Sequence, residues 1–252
     1  MKVIWHGTAA IETACSGGRI LFDPFVPLRG ADTQMPPETF DGFSDIFVTH
    51  GHFDHIMSLP AIAARNPDVR IHCTKTPYET LRKKGVPENS LRLLSFGQTV
   101  SANGFLLHVL RGKHAVLPSA SPARLWYALR SPYRGNLPRI LRENRLCREN
   151  DETVFYQLEA DGRTVSLMGS LNLREEADYP VRSDLLVLPY NGWEDNYPPA
   201  VRVIERLQPK RVVLDHWDDA FPPLTMPVDL SPILARYPDR ISPMTPGRAE
   251  EL

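Results

Sequence analysis

The chain has 252 residues, 42% of them hydrophobic and 23% charged, and a formal net charge of −1. That length can bury a substantial core in one large domain or two small ones. The balanced charge gives no general pull toward nucleic acid or an anionic membrane. Three scattered cysteines, Cys15, Cys73 and Cys147, lack C-x-x-C spacing; such a set argues against a disulfide framework and suits a reducing, cytoplasmic setting. The N-terminal residues have no apolar leader core, and no run approaches the roughly 20 apolar residues a bilayer span needs.

Short apolar runs bounded by turn residues open the chain. Val3 to Trp5, Ala10 to Thr13 and Arg19 to Phe22 read as strands, with Gly17-Gly18 as a hairpin turn and Asp23-Pro24 as the stop. Residues 26–40 are Pro-rich and polar and read as a loop. Asp45 to Thr49 is a buried-type strand that runs straight into His50. Met57 to Arg65 is helix-like, Val69 to Cys73 a strand, and Pro77 to Lys84 a helix with Pro77 suited to the first turn. This strand–helix alternation implies parallel pairing.

Thr99-Val100 and Phe105 to Leu110 read as paired strands around Asn103-Gly104, and Thr153 to Glu159 and Thr164 to Met168 as another pair around Asp161-Gly162. Asp184 to Leu188 and Arg211 to Leu214 are buried strands flanking a helix from Pro199 to Leu207. The stretch 115–151 fits none of this. Arg124, Arg130, Arg134, Arg139, Arg142, Arg145 and Arg148 interleave there with Trp126, Tyr127, Tyr133 and Leu137. We read it as an insertion lying over the core of a single domain that spans 1–252. Three readings stay open for its arginines: a solvated face, a cap that holds an anionic group, or a surface for RNA or lipid head groups.

The chemistry concentrates in His50-Gly51-His52-Phe53-Asp54-His55, just past a buried strand. Imidazole and carboxylate suit zinc and its neighbours. A loop can turn adjacent side chains toward one point, which a continuing strand with alternating side chains does not do, and Gly51 permits the backbone such a turn needs. The alternative is a polar loop that happens to hold three histidines; the whole chain has only eight.

This run resembles the H-x-H-x-D-H signature of the metallo-β-lactamase superfamily, and within it the start Trp5-His6-Gly7 and the block Asp184 to Pro189 look most like the small metal-dependent hydrolases related to ascorbate-6-phosphate lactonase. Asp23 after the third strand, His114 after the Phe105 strand and His216 after the Arg211 strand fall where that family places functional residues. The resemblance implies a four-layer αββα sandwich with metals at one edge of the two sheets. It implies one site of His50, His52 and His114 and a second of Asp54, His55 and His216. Zinc, as one or two ions, is the expected metal, with manganese, iron or nickel also suited. Asp54 and His216 are the candidate catalytic residues, Asp54 orienting or deprotonating a metal-activated water that attacks an ester, lactone, amide or phosphoester.

One departure stands out. The family places an Asp after the Thr164 strand, where it bridges two metals; this chain reads Gly169-Ser170. Two dications close together need anionic charge between them, so Ser170 argues for unequal sites. Glu175, Glu176, Asp178 or Asp215 are the acids in reach by sequence. Asp23 is expected to orient a ligating histidine, His6 to line the pocket or pack, and His72 and His108 to be structural. The expected partner is a small molecule, anionic if the arginines cap the site, and neither nucleic acid nor a membrane. A phosphodiesterase or nuclease, and a metal-binding protein that lost its chemistry with the bridging Asp, are the rival readings.

Overall fold

The structure, a computed structural model, describes residues 1–115, 122–191, 195–225 and 228–252, and of residues 122–125 only the backbone. Part of the insertion, with the Arg124 side chain, therefore lies outside the described residues. Two seven-stranded sheets form the frame. The first contains β1 (Lys2–Trp5), β2 (Ile11–Cys15), β3 (Gly18–Phe22), β4 (Asp45–Phe47), β5 (Arg70–Cys73) and β6 (Leu91–Leu93) in chain order. The last strand, β14 (Ala249–Glu251), closes its outer edge against β1. The second runs β7 (Thr99–Ala102), β8 (Phe105–Arg111), β9 (Val154–Ala160), β10 (Arg163–Met168), β11 (Leu185–Pro189), β12 (Arg211–Asp215) and β13 (Ile241–Pro243). Both sheets begin antiparallel and become parallel, from β3 onward in the first and from β10 onward in the second. The parallel pairing expected from the strand–helix alternation is present.

The strands are covered on both faces, and their sequences explain how. Side chains alternate faces along a strand, so an unbroken apolar run feeds two cores. Phe22 and Phe47 join Leu107, Tyr156, Val187 and Val213 in the layer between the sheets. Leu21, Ile46, Val48 and Ile71 face the other way, under α1 (Phe53–Ile56), α2 (Leu59–Arg65) and α3 (Lys75–Lys83). In the second sheet Leu186, Leu188, Val212 and Leu214 turn outward to α6 (Tyr197–Leu207) and α7 (Ser231–Arg236). The four apolar residues of α6 in that core, Ala200, Val203, Ile204 and Leu207, recur at helical spacing. The result is the four-layer αββα sandwich.

The helix expected over Met57 to Arg65 is present as α2, starting two residues later, and a further short helix, α1, precedes it within the histidine run expected to be loop throughout. The chain breaks at Met57-Ser58, before the Pro at the second position of α2, where a missing N–H is tolerated. The insertion forms α4 (Pro122–Arg130) and α5 (Leu137–Leu146); Ile140 and Cys147 pin the latter into the helix-side core of the first sheet.

His72 is structural. Its ring stacks on Phe47, 4.3 Å between centroids, and its Nε2 lies 2.8 Å from Asp45. The exposed Arg70 holds the same carboxylate from outside at 2.7 Å. Burial alone would raise the Asp45 carboxyl; the hydrogen bonds from His72 and Arg70 outweigh it and hold the group below its ordinary value of 3.8. A depressed carboxyl contributes stability at neutral pH that is lost as pH falls below its unfolded value. Asp45→Asn should therefore cost about 2–4 kcal/mol at pH 7. The deficit against the parent should shrink as denaturant melts are repeated below about pH 4; a deficit that is flat across that range would assign it to packing.

Candidate metal centre

Loops leaving the same ends of both sheets meet at one place, the usual location of ligand sites in parallel sheets. Asp23 follows β3, the His50–His55 turn follows β4, His114 follows β8, Ser170 follows β10 and His216 follows β12. The backbone is held in sparsely populated conformations there: Thr8 (φ 51), Asp23 (φ 43) and His216 (φ 59) are all left-handed. Such conformations persist only where surroundings over-determine them. Those surroundings are visible, since the Thr8 carbonyl accepts the His216 N–H at 2.9 Å and the Trp5 indole N–H at 2.7 Å. Asp218 in turn accepts the Thr8 N–H at 3.0 Å.

The structure brings all six sequence-nominated donors together in two groups. His50, His52 and His114 form one and Asp54, His55 and His216 the other, with the donor atoms within 4.8 Å of one another inside each group. His50, Asp54, His55 and His216 are buried, His52 and His114 half-buried. The ring orientations are set from behind. Asp23 binds His55 Nδ1 at 2.8 Å while its other oxygen accepts the Thr49 N–H, also at 2.8 Å. The Thr49 hydroxyl lies 3.1 Å from His50 Nδ1, and the Ala115 carbonyl 2.6 Å from His114 Nδ1. Each of these contacts fixes one ring nitrogen and frees the other to face the cluster. His50 Nε2 and His52 Nδ1 face each other at 3.2 Å, and His216 Nε2 lies 3.2 Å from Asp54.

The two groups differ electrostatically. Burial and the neighbouring histidines push His50 well below 6.5; burial takes His52 down to about 4 and lowers His114. All three are neutral imidazoles at pH 7, with lone pairs to donate. In the second group, burial works against Asp54, His55 and His216 as ions, but their mutual charges win. Asp54 is held below its usual range by His55 and His216, His55 is raised by Asp23 and Asp54, and His216 is pushed up to about 9 by Asp54. A cation entering this group competes with the proton on His216. Imidazoles facing at hydrogen-bond distance, with the far nitrogens of His50, His55 and His114 held and a buried carboxylate alongside, form a donor set that fits zinc or a neighbouring transition metal.

Two glycines allow the close approach. A Cβ on Gly51 would lie 2.0 Å from the Arg148 carbonyl oxygen, and one on Gly169 would lie 2.5 Å from Thr49 Cβ. Gly51 does not have a positive φ, so its role differs from the conformational one expected of it. It makes room for the insertion to lie against the histidine turn.

The cavity at the cluster measures about 140 Å³. The six donors and Ser170 line one side, and Phe53, Ile140, Asn144, Pro189, Phe221 and Leu224 line much of the rest. Asp54 is the one carboxylate among the described lining residues, and no described lysine or arginine lines it. Glu175, Glu176, Asp178 and Asp215, the acids weighed as substitutes for the bridging Asp, are not among them. Ser170 Oγ accepts the Ala115 N–H at 3.0 Å. Asp215 is buried beneath His216 with one oxygen lacking a hydrogen-bond partner, and burial pushes it up to about 7. His6 is turned away to Glu12 at 3.0 Å, and His108 to Glu159 at 3.1 Å. Arg130, Arg134, Arg139, Arg142, Arg145 and Arg148 are exposed to solvent, and none of them is among the described residues that line the cavity. Ile140 and Asn144 of α5 were not singled out from sequence, although their i, i+4 spacing puts them on one helix face.

Two stacked mixed sheets with a His/Asp cluster at their shared ends define the αββα metallo-hydrolase type of fold. A family model described as "Beta-lactamase superfamily domain" matches residues 18–217, and the chain belongs to that family, within the metallo-β-lactamase superfamily. Over 263 aligned residues it is 25% identical to a protein from Polaromonas sp. described as a UPF0173 metal-dependent hydrolase, covering 99% of this chain and 89% of the relative. Shorter matches, to relatives in Aeropyrum pernix and Azorhizobium caulinodans, span 28% and 50% of those proteins. Among solved structures, Igni18, a metallo hydrolase from Ignicoccus hospitalis, superposes with a TM-score of 0.64 at 16% identity, over 100% of this chain and 98% of that one. Zinc-bound PqqB from Methylobacterium extorquens superposes with a TM-score of 0.62 at 14% identity, over 96% and 87%. At these identities the structural likeness concerns the fold.

Proposed function

We propose that this protein is a metal-dependent hydrolase whose two donor groups hold one or two transition-metal ions, zinc foremost. The convergence of six buried or half-buried donors, three of them oriented from behind, carries this reading. The description of the Polaromonas relative as a metal-dependent hydrolase and the zinc in PqqB support it. A metal bound here would supply Lewis acidity toward water and toward the substrate's polar oxygen.

The chain's own residues have separate tasks. Asp54, kept anionic by His55 and His216, accepts a hydrogen bond from the attacking water and orients it. His216, tied to Asp54, closes the site from the far end of the chain. The apolar wall of Phe53, Ile140, Phe221 and Leu224 excludes water and receives an uncharged part of the substrate. We therefore propose a small ester, lactone, amide or phosphoester that is neutral at that end, rather than the anionic molecule the arginines suggested. The three free cysteines accord with a reducing, cytoplasmic setting. Hydrolysis of a panel of such compounds, before and after metal removal and readdition, tests the reading; no metal-dependent turnover of any member would leave the non-catalytic alternative.

Ser170 offers a dipole where a second cation needs a charge. The Asp54 group, with its own carboxylate, should bind metal more tightly than the three-histidine group. Ser170→Asp should raise the zinc stoichiometry seen by titration calorimetry from nearer one toward two. Two equally tight sites in the unaltered protein would mean that another group already offsets the repulsion.

A further inference from the structure

The insertion differs in charge from the chain as a whole. Between residues 122 and 148 the sequence holds seven arginines, no lysine and one acid, Glu143, hence a net charge of +6 in a chain of net charge −1. Glu143 is buried and paired with Lys84, so it does not dilute the outward charge. The same stretch exposes large apolar side chains: Trp126, Tyr127, Leu129, Leu141 and Leu146 are 47–63% exposed. On α4 the outward side is Trp126 and Arg130, with the Arg130 guanidinium 4.1 Å over the Trp126 ring, flanked by Tyr127 and Leu129. On α5 the buried side is Ile140 and Glu143, and Arg142 and Arg145 point away from it between Leu141 and Leu146.

We propose that α4 and α5 dock the protein peripherally on an anionic phospholipid surface. Basic residues interleaved with Trp, Tyr and Leu are the composition of helices that lie in the interface, with the rings at head-group level and the aliphatic groups at the acyl boundary. The rings could stack bases, but the exposed Leu129, Leu141 and Leu146 offer bases no π-face and suit an acyl boundary, which favours lipid over single-stranded RNA. The charge is complementary to anionic head groups, each arginine near the surface strengthening partition about five-fold. Among the described residues no helix is long and apolar enough to cross a bilayer, so the attachment is to the surface. This departs from the expectation drawn from net charge alone, which averages the insertion away. It also gives the six exposed arginines a task outside the cavity, and it sets α5, which lends Ile140 and Asn144 to the cavity wall, at the lipid surface.

The test is co-sedimentation of the full chain with vesicles of phosphatidylcholine alone and of phosphatidylcholine mixed with phosphatidylglycerol. Binding is expected only to the mixed vesicles, weakening with salt and blue-shifting tryptophan fluorescence. Replacing Arg139, Arg142 and Arg145 together with Gln should weaken partition roughly 100-fold. Trp126→Ser with Leu141→Ser should weaken it without changing its salt dependence. Both variants should keep the parent's thermal midpoint and metal content. Equal binding to both vesicles, or none to either, overturns the proposal. So does binding of a single-stranded oligonucleotide in preference to mixed vesicles, or concentration-dependent self-association that buries Trp126.

Discussion

Replacing His52 or His114 with Ala should strip most of the metal from the three-histidine group and abolish metal-dependent hydrolysis. His52 offers Nδ1 into the cluster, 3.2 Å from His50 Nε2, and His114 is held by the Ala115 carbonyl with its other nitrogen free. All three imidazoles of this group have depressed pKa values, so at neutral pH none must lose a proton to coordinate. The group has no carboxylate of its own, and two imidazoles cannot replace the third. Loss of residues that merely orient ligands typically costs 10–100-fold in metal affinity, and loss of a ligand should cost at least about 100-fold. The two positions are half-buried rather than core, so each variant should fold. Metal content after dialysis against a weak chelator, read beside the unfolding midpoint, separates the outcomes. A variant that folds and whose second, weaker zinc equivalent titrates as in the parent would remove that histidine from the site.

Gly51→Ala should be among the most damaging single-methyl additions in the molecule. The new Cβ would sit 2.0 Å from the Arg148 carbonyl oxygen and 3.2 Å from its carbon, far inside van der Waals contact. The oxygen cannot retreat freely, because the neighbouring Cys147 is buried and Glu143 one turn earlier is paired with Lys84. The His50–His52 turn must therefore move, or α5 must lift from the core. Overpacking against backbone of this kind costs about 3 kcal/mol or more. Denaturant unfolding should show the loss directly, and metal affinity should fall with it because the displaced turn carries two donors. Parent-like stability and metal content would mean that the insertion does not press on the turn.

The sequence made the frame legible because its strands are buried on both faces, so β4, β11 and β12 stand out as apolar runs. The donors were legible because three histidines and an aspartate crowd into six residues, and because His114 and His216 each follow such a run. What escaped was whatever depends on distance in the fold. Short edge strands such as β6 and β14 carry too little pattern to announce themselves. The single turn of α1 was hidden because Asp54 and His55 interrupt any apolar period there. Nothing in the neighbourhood of Ile140 or Asn144 reveals that one helix face completes a cavity built by loops elsewhere. Gly51 was noticed for its freedom of rotation, whereas the constraint on it comes from a carbonyl 97 positions later. The arginines of the insertion were visible at once, but their direction was not.

Asp54 and His216 are in contact although 162 residues separate them along the chain. A cation gripped by both would act as a clasp on a very long loop. In the chain-entropy picture a permanent link across such a span restricts the denatured ensemble by about 5 kcal/mol, and a coordinate bond of finite lifetime provides a share of this for as long as it holds. Losing the ion would then loosen the tertiary closure of the polypeptide as well as emptying a reaction centre. Chelation and unfolding would become linked equilibria, with the inactive apoprotein also the shorter-lived one.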